Sequence, residues 1–243
     1  MTRAILLVLV IASGPASAIA QEIDFSGQWA PIYHEDGPER LPGPELGDYL
    51  GLPINDAARL RADSYDADRI SAVSEYQCRQ HAADYGMRGL ANMRITAEID
   101  PLKQRLLAFH TRIGFHDAER TIYLDGRPHP ADIADYVQFM GHSTGKWEGD
   151  TLVVDTVGIN DRTWLDSYGL EHSDKLHLTE RFQKTGPDAI KYTVTYDDPV
   201  FFTKPWSATL NFARQGKDDR LMEYVCNDNE KDRVNLVPTP RQE

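Results

Sequence analysis

The sequence predicts a mainly β protein, an antiparallel meander closed as a lipocalin-like barrel or folded as a sandwich, with short N-terminal helices packed outside. Two observations carry this prediction. From Arg94 onward, short apolar runs recur and are separated by turn residues such as Asp125-Gly126 and Gly186-Pro187-Asp188. Strands joined by such short breaks are antiparallel neighbours, because a parallel return needs about a dozen residues or more.

The elements follow from these runs in chain order. Phe25-Ser26-Gly27-Gln28-Trp29 resembles the entry strand of a small β-barrel. Asn55 is a suitable N-cap for a helix that begins at Asp56, and a second helix is predicted from Asp66 to about His81. Predicted strands occupy segments 93–99, 105–115, 119–124, 151–157, 175–184, 189–197, 206–214 and 220–226.

The N-terminus has the features of a cleavable signal peptide. Arg3 is followed by an apolar run at 5–12 and by the small residues Ala18 and Ala20. The run is shorter than the roughly 20 apolar residues that cross a bilayer. We therefore expect a periplasmic or secreted protein, with residues 1–20 removed, an N-terminal extension at 21–92 and a β domain at 93–243 that forms one structural unit with it.

Composition limits the partners. The formal net charge is −12, from 26 basic and 38 acidic residues, so phosphate backbones are repelled and a nucleic-acid partner is not expected. No insertion into a membrane is expected after signal cleavage. Cys78 and Cys226 predict a disulfide in an oxidising compartment, with two buried thiols as the alternative.

Several motifs of the chain resemble those of a known group of proteins. They include Arg120-Thr-Ile-Tyr-Leu-Asp-Gly-Arg-Pro-His-Pro and Gly141-His-Ser-Thr-Gly-Lys-Trp-Glu-Gly-Asp-Thr-Leu-Val-Val-Asp-Thr, followed by His172-Ser-Asp, Thr179-Glu-Arg and Asp197-Asp-Pro. With these motifs, most of the chain after the signal peptide resembles an uncharacterised family of secreted bacterial β-rich proteins. The resemblance implies export and carries no catalytic residues over to this chain.

Charged residues on apolar strand faces are the first candidates for a site. Alternation places Glu180 with Leu178 and Phe182, Arg120 with Ile122, and Asp155 with Val153 and Val157. Glu223 shares a face with Leu221 and Val225 in the same way. A barrel lumen that binds a polar substrate would accept such charges. The alternative is a structural ion pair, such as Arg120 with Glu180, that fixes the strand register.

Two long connections, 126–146 and 158–174, contain the candidate acid–base residues. His142 and His172 each precede a serine, and histidine suits proton transfer because its ordinary pKa is roughly 6.5. The alternative for each is an imidazole that bonds a backbone carbonyl. Asp161 is an assisting acid or a turn former. A metal site from His129, His142 and His172 is not expected, since no close ligand spacing exists.

Aromatic residues near the loops and strand ends provide the expected substrate contacts. Trp164 stands among acids, where a tryptophan covers a ligand or seals a barrel end. The residues expected to bind substrate are Trp147, Trp164, Phe139, Tyr196 and Asp166.

Together these patterns favour an enzyme. We expect cofactor-free acid–base chemistry (elimination, isomerisation or hydrolysis) on a small organic or sugar-like molecule in a barrel pocket. His142 and His172 would be the acid–base residues, Glu180 and Asp161 would assist, and Arg120 would hold an anionic oxygen. One alternative is a lipocalin-like carrier of a small hydrophobic ligand, and the other is a structural or interaction protein of the envelope.

Overall fold

The computed structural model describes residues 23–32, 51–64, 79–88, 92–114, 118–165 and 169–223. In these residues nine strands form one closed barrel, in which each strand pairs with the next and the last pairs with the first. The strands are β1 (Gly27–Pro31), β2 (Met93–Ile99), β3 (Leu106–Ile113), β4 (Glu119–Tyr123), β5 (His142–Glu148), β6 (Thr151–Val157), β7 (His177–Gly186), β8 (Ala189–Asp197) and β9 (Trp206–Arg214). The predicted mainly β barrel is confirmed, and the sandwich alternative is excluded.

One pair departs from the predicted antiparallel order. Strands β4 and β5 run parallel, with Ile122 opposite Ser143 and Tyr123 opposite Thr144. Residues 124–141 make the return between them, which is long enough for a crossover. The sequence missed β5, because His142–Glu148 includes a glycine and charged residues that are uncommon in strands. The first long connection is therefore 124–141 and not 126–146.

Strand β1 lies within the predicted N-terminal extension and closes the barrel between β2 and β9. Trp29 is fully buried in the core, and its Nε1 donates to the Phe25 carbonyl at 2.9 Å. At the other end of the chain, residues 220–223 form no strand, so the prediction for 220–226 is wrong over that part. Glu223 is exposed there.

Helix α1 (Asp56–Asp63) begins where the sequence predicts it. The Asn55 side chain accepts from the Ala58 amide at 2.9 Å, as an N-cap does. Its position is fixed by a bridge between Ile54 and Phe202, in the connection between β8 and β9. None of the described helices is long and apolar enough to span a membrane.

A second short segment closes one end of the lumen. Residues 79–88 include helix α2 (Tyr85–Arg88), and the Tyr196 hydroxyl of β8 donates to Asp84 at 2.6 Å. The Ala82 amide donates to the Trp164 carbonyl at 2.9 Å. Of the predicted second helix, residues 79–81 are not helical, and 66–78 lie outside the described residues. The signal peptide, Cys78 and Cys226 also lie outside them.

The lumen is packed with side chains. Large, fully buried side chains come from strands around the barrel, namely Trp29, Phe109, Phe182, Tyr192, Tyr196 and Phe212, and Phe25 joins them from just before β1. A cavity beside Arg120, between the lumen wall and the 79–88 segment, measures about 10 Å³, which is room for about one water molecule.

Candidate acid–base site

Arg120 and Glu180 meet inside the barrel. Both point inward, as alternation predicts, and their side chains are 4% and 0% exposed. The Arg120 guanidinium donates to both Glu180 carboxylate oxygens, with Nη1 at 2.9 Å from Oε1, and the predicted ion pair is confirmed. The Tyr192 hydroxyl also donates to Glu180, at 2.8 Å. Burial alone would lower the pKa of Arg120, but the adjacent Glu180 outweighs burial and raises it.

His172 is a buried and fully satisfied side chain. Its Nδ1 donates to the Ser173 carbonyl at 2.9 Å, so its Nε2 accepts from the Thr163 hydroxyl at 2.6 Å. Burial lowers the pKa of His172, so the neutral ring is favoured. Asp161 lies in the same connection and is exposed. This geometry matches the alternative in which the imidazole bonds a backbone carbonyl.

The residues expected to bind substrate do not share a pocket. Tyr196 is buried and stacks on Trp206 at 4.1 Å between ring centroids, whereas Trp147 stacks on Phe25 at 6.0 Å. Trp164 is buried, with its ring 6.3 Å from that of His81. Phe139 is 45% exposed and lies under the Arg162 guanidinium. Asp166 lies outside the described residues.

His142 lies on the outer surface of the barrel, apart from the lumen ion pair. Its neighbour Ser143 is buried and faces inward, where its hydroxyl accepts from Arg120 Nε at 2.9 Å. Successive side chains of a strand point to opposite faces, so His142 faces outward.

Four outward side chains form a continuous chain of hydrogen bonds, which we call the histidine chain. His142 Nδ1 lies 2.8 Å from His129 Nδ1. His129 Nε2 lies 2.8 Å from Asp155 Oδ2, and the other carboxylate oxygen, Oδ1, lies 2.5 Å from His177 Nε2. One carboxylate therefore holds two imidazoles, and the third imidazole reaches it through His129.

Three elements bring these residues together. Strands β5, β6 and β7 provide His142, Asp155 and His177, and the 124–141 connection crosses the outer face to add His129. The connection is held by Gln138, whose backbone N–H donates to the Gly158 carbonyl at 2.9 Å. The two long connections thus meet at this point.

The turn into β5 requires glycine. Gly141 has φ +61°, a conformation that residues with a Cβ rarely adopt. A Cβ atom there would also lie 2.5 Å from the Val157 carbonyl oxygen. Gly141 therefore allows the backbone to place His142 directly beside β6.

The carboxylate determines where the protons of the histidine chain lie. Burial would raise the pKa of Asp155, but hydrogen bonds from His177 and His129 outweigh it and hold that pKa below its ordinary value. Ionised Asp155 only accepts, so His129 and His177 each donate from Nε2. Neutral His129 then accepts at Nδ1, and His142 must donate from its own Nδ1. This leaves the lone pair of His142 at Nε2.

The histidine chain ends at each side in a ring nitrogen that makes no hydrogen bond to the part of the protein that the structure describes. Among the described residues, neither His142 Nε2 nor His177 Nδ1 has a hydrogen-bonding partner, and the His177 side chain is 42% exposed. Burial, His129 and Arg127 together lower the pKa of His142, so its ring stays neutral to a lower pH than a free histidine. A neutral, accessible imidazole nitrogen can accept a proton from a bound molecule.

Tyr123 and Arg127 border the His142 end. The Tyr123 ring stacks near His142, with 5.3 Å between ring centroids, and the Arg127 guanidinium covers Tyr123 at 3.9 Å. Arg127 is held by Asp125 Oδ2 at 2.6 Å, and this hydrogen bond lowers the pKa of Asp125 to about 2. The surface beside the imidazole thus has an aromatic face and a fixed ion pair.

Within the described part of the chain, no group of three or more histidine, cysteine, aspartate or glutamate side chains has the arrangement of a metal site. The donor atoms of the histidine chain lie 2.5 to 2.8 Å apart, which suits hydrogen bonds. Ligands of one tetrahedral zinc ion, each about 2.0–2.1 Å from the metal, lie farther apart from one another.

Sequence reasoning found His142 but missed most of its partners. The β7 pattern predicts only the apolar face of the strand and gives no sign that His177 belongs to a site. The face shared by Asp155, Val153 and Val157 is the outer one, while Leu152, Val154 and Thr156 face the lumen. The Arg-Pro-His-Pro segment that carries His129 offered no spacing signal.

Comparison of the chain with protein families, with curated proteins and with solved structures finds no match. The residues themselves must therefore support any functional conclusion.

Proposed function

We propose that this protein is an enzyme that performs acid–base chemistry without a cofactor, with the outer-surface histidine chain as its site. The supporting observation is the hydrogen-bond chain from Asp155 through His129 to His142, which with neutral rings leaves the lone pair of His142 at Nε2. Asp155 holds His129 in one tautomer, which fixes the proton-accepting nitrogen of His142, and the lowered pKa of His142 keeps that nitrogen unprotonated to a lower pH than in a free histidine.

The substrate proposed is a small organic or sugar-like molecule, on which the enzyme catalyses elimination, isomerisation or hydrolysis. Of the residues predicted from sequence, the proposal keeps His142 as the base. Arg120 and Glu180 lie in the packed lumen and His172 is fully hydrogen-bonded, so the proposal gives them structural roles. Export to the periplasm or beyond, from the signal-peptide pattern, remains part of the proposal.

The test is a substrate screen that begins with p-nitrophenyl acetate and continues with sugar lactones and hydroxy acids. We expect His142→Ala to reduce turnover by roughly 10²-fold or more, as for loss of a general base. The matched control is His110→Ala, since His110 is another outward histidine bonded to a carboxylate, Glu98, at 2.9 Å. Equal turnover by His142→Ala and the native protein would contradict the proposal, as would a stoichiometric metal in the purified protein.

A small-molecule carrier is the second candidate, supported by a different feature. Beside the β2–β3 hairpin lies a cavity of about 420 Å³, lined by Ile23, Ile99 and Leu106 together with polar Asp24 and Gln104. This volume is within the range of ligand pockets, about 300–1,000 Å³. Native mass spectrometry of protein purified from its host tests it: a retained apolar molecule supports the carrier, and an empty protein counts against it.

A further inference from the structure

The Asp155 carboxylate accepts hydrogen bonds from two imidazoles, those of His129 and His177. His177 donates to one carboxylate oxygen directly, while His142 reaches the other through His129. Each branch ends in a ring nitrogen without a protein partner among the described residues. The site thus has two accessible imidazoles and a single carboxylate to stabilise positive charge.

We propose that His177 is a second acid–base residue, the proton donor that works opposite the His142 base. This inference rests on the proposed function and narrows the proposed reaction to an isomerisation or an elimination. His142 Nε2 takes a proton from a carbon or oxygen of the substrate, and the His177 imidazolium gives its Nδ1 proton to another atom of the same molecule. The number of protons on the cluster is unchanged, which is the balance of an isomerisation or an elimination.

The charges around the two rings favour this division of roles. His142 has no direct contact with a carboxylate and faces the Arg127 side, where Asp125 already pairs with the guanidinium. His177 contacts Asp155 directly and lies opposite Asp197 of β8 in the strand register. The Asp155 carboxylate therefore stabilises positive charge on the His177 ring by direct contact, and on the His142 ring only through His129. A second proton would leave two positive rings on one carboxylate.

After one turnover, His142 carries the proton and His177 is neutral. Both rings are partly exposed, so exchange with water restores the starting state without any further co-reactant. The substrate class that fits is a small molecule with a proton beside a carbonyl group and a second atom able to accept a proton, such as a hydroxy acid or a sugar derivative.

The test follows the histidine rings by NMR in the full chain with ¹⁵N-labelled histidine, and needs no substrate. We expect the titration of His142 to depend on the His177 side chain, because the two rings share one carboxylate. His177→Gln should raise the titration midpoint of His142 by roughly half a pH unit. His110→Gln, the control, should leave it unchanged.

An unchanged His142 midpoint in His177→Gln would overturn the pairing. The native protein offers a second measurement, because the ring shifts must show His177 protonated at Nε2 and His142 at Nδ1. Once a substrate is found, His177→Gln should lose the fall in rate at high pH, where the acid is deprotonated, and keep the fall at low pH. Activity that depends on His142 with an unaltered profile in His177→Gln would reject this inference and leave the proposed function intact.

Discussion

The barrel carries two polar clusters, one in its lumen and one on its outer surface, and they differ in surroundings more than in chemistry. The lumen pair of Arg120 and Glu180 is closed off from solvent and surrounded by fixed donors. The histidine chain around Asp155 is half exposed and ends in open ring nitrogens. Buried charges that are all paired contribute to fold specificity, whereas accessible groups with spare lone pairs can do chemistry.

The largest effect is expected from breaking the lumen pair. Glu180→Ala would leave Arg120 buried without its partner charge, so the free energy of unfolding should fall by about 3–5 kcal/mol in urea titrations. The control is Glu148→Ala, which breaks an exposed pair with Arg181 of the same strand β7. An exposed pair is worth at most about 1 kcal/mol. Similar losses in both variants would show that burial does not distinguish the pairs.

His172 allows a second comparison, between a buried histidine and the accessible His142. Because burial lowers its pKa, the folded protein favours neutral His172, while the unfolded chain takes up a proton near pH 6.5. Its contribution to stability is therefore complete above that pH and is lost as the pH falls below it.

The variant His172→Gln should make this dependence visible. At pH 8 it should cost about 1–3 kcal/mol, because a buried hydrogen-bonded group is replaced. Between pH 7 and 5 its stability should then decline less steeply than that of the native protein. Urea titrations at several pH values measure both, and a decline as steep as in the native protein would contradict the assignment.

How much the sequence predicts depends on whether a strand has one buried face or two. Strand β7 alternates between buried and exposed residues, and its face with Glu180 was correctly placed in the lumen. Strand β6 is buried on its lumen face and largely covered on its outer face, where Val153 is buried and Asp155 and Val157 are half-buried, because the 124–141 connection crosses that side and Ile133 packs on Gly158. Alternation of apolar and polar residues gives no signal in such a strand, so the predicted lumen position of Asp155 is wrong and its side chain lies on the outer face.

The histidine chain could not be assembled from sequence for a related reason. His129 joins it from a crossover that exists only because β4 and β5 are parallel, and β5 itself was not predicted. Local patterns identify a titratable residue such as His142. The register of three strands and the path of one connection decide which carboxylate it meets.

The smallest effect on folding, and the sharpest separation of the two clusters, is expected from Asp155→Asn. Its side chain is 44% exposed and pairs with histidines that are 22% and 42% exposed, so the free energy of unfolding should fall by less than about 1 kcal/mol. Turnover of a substrate found in the screen should nevertheless fall by roughly 10²-fold or more, because an amide can accept from one imidazole but presents a donor to the other. His129 then loses its fixed tautomer, and the lone pair of His142 is no longer held at Nε2.

The measurement combines urea titration with turnover, and Glu98→Gln beside His110 is the control. A variant that loses stability and activity together would assign Asp155 to the framework of the barrel, whereas one that loses activity alone places the chemistry on its outer surface.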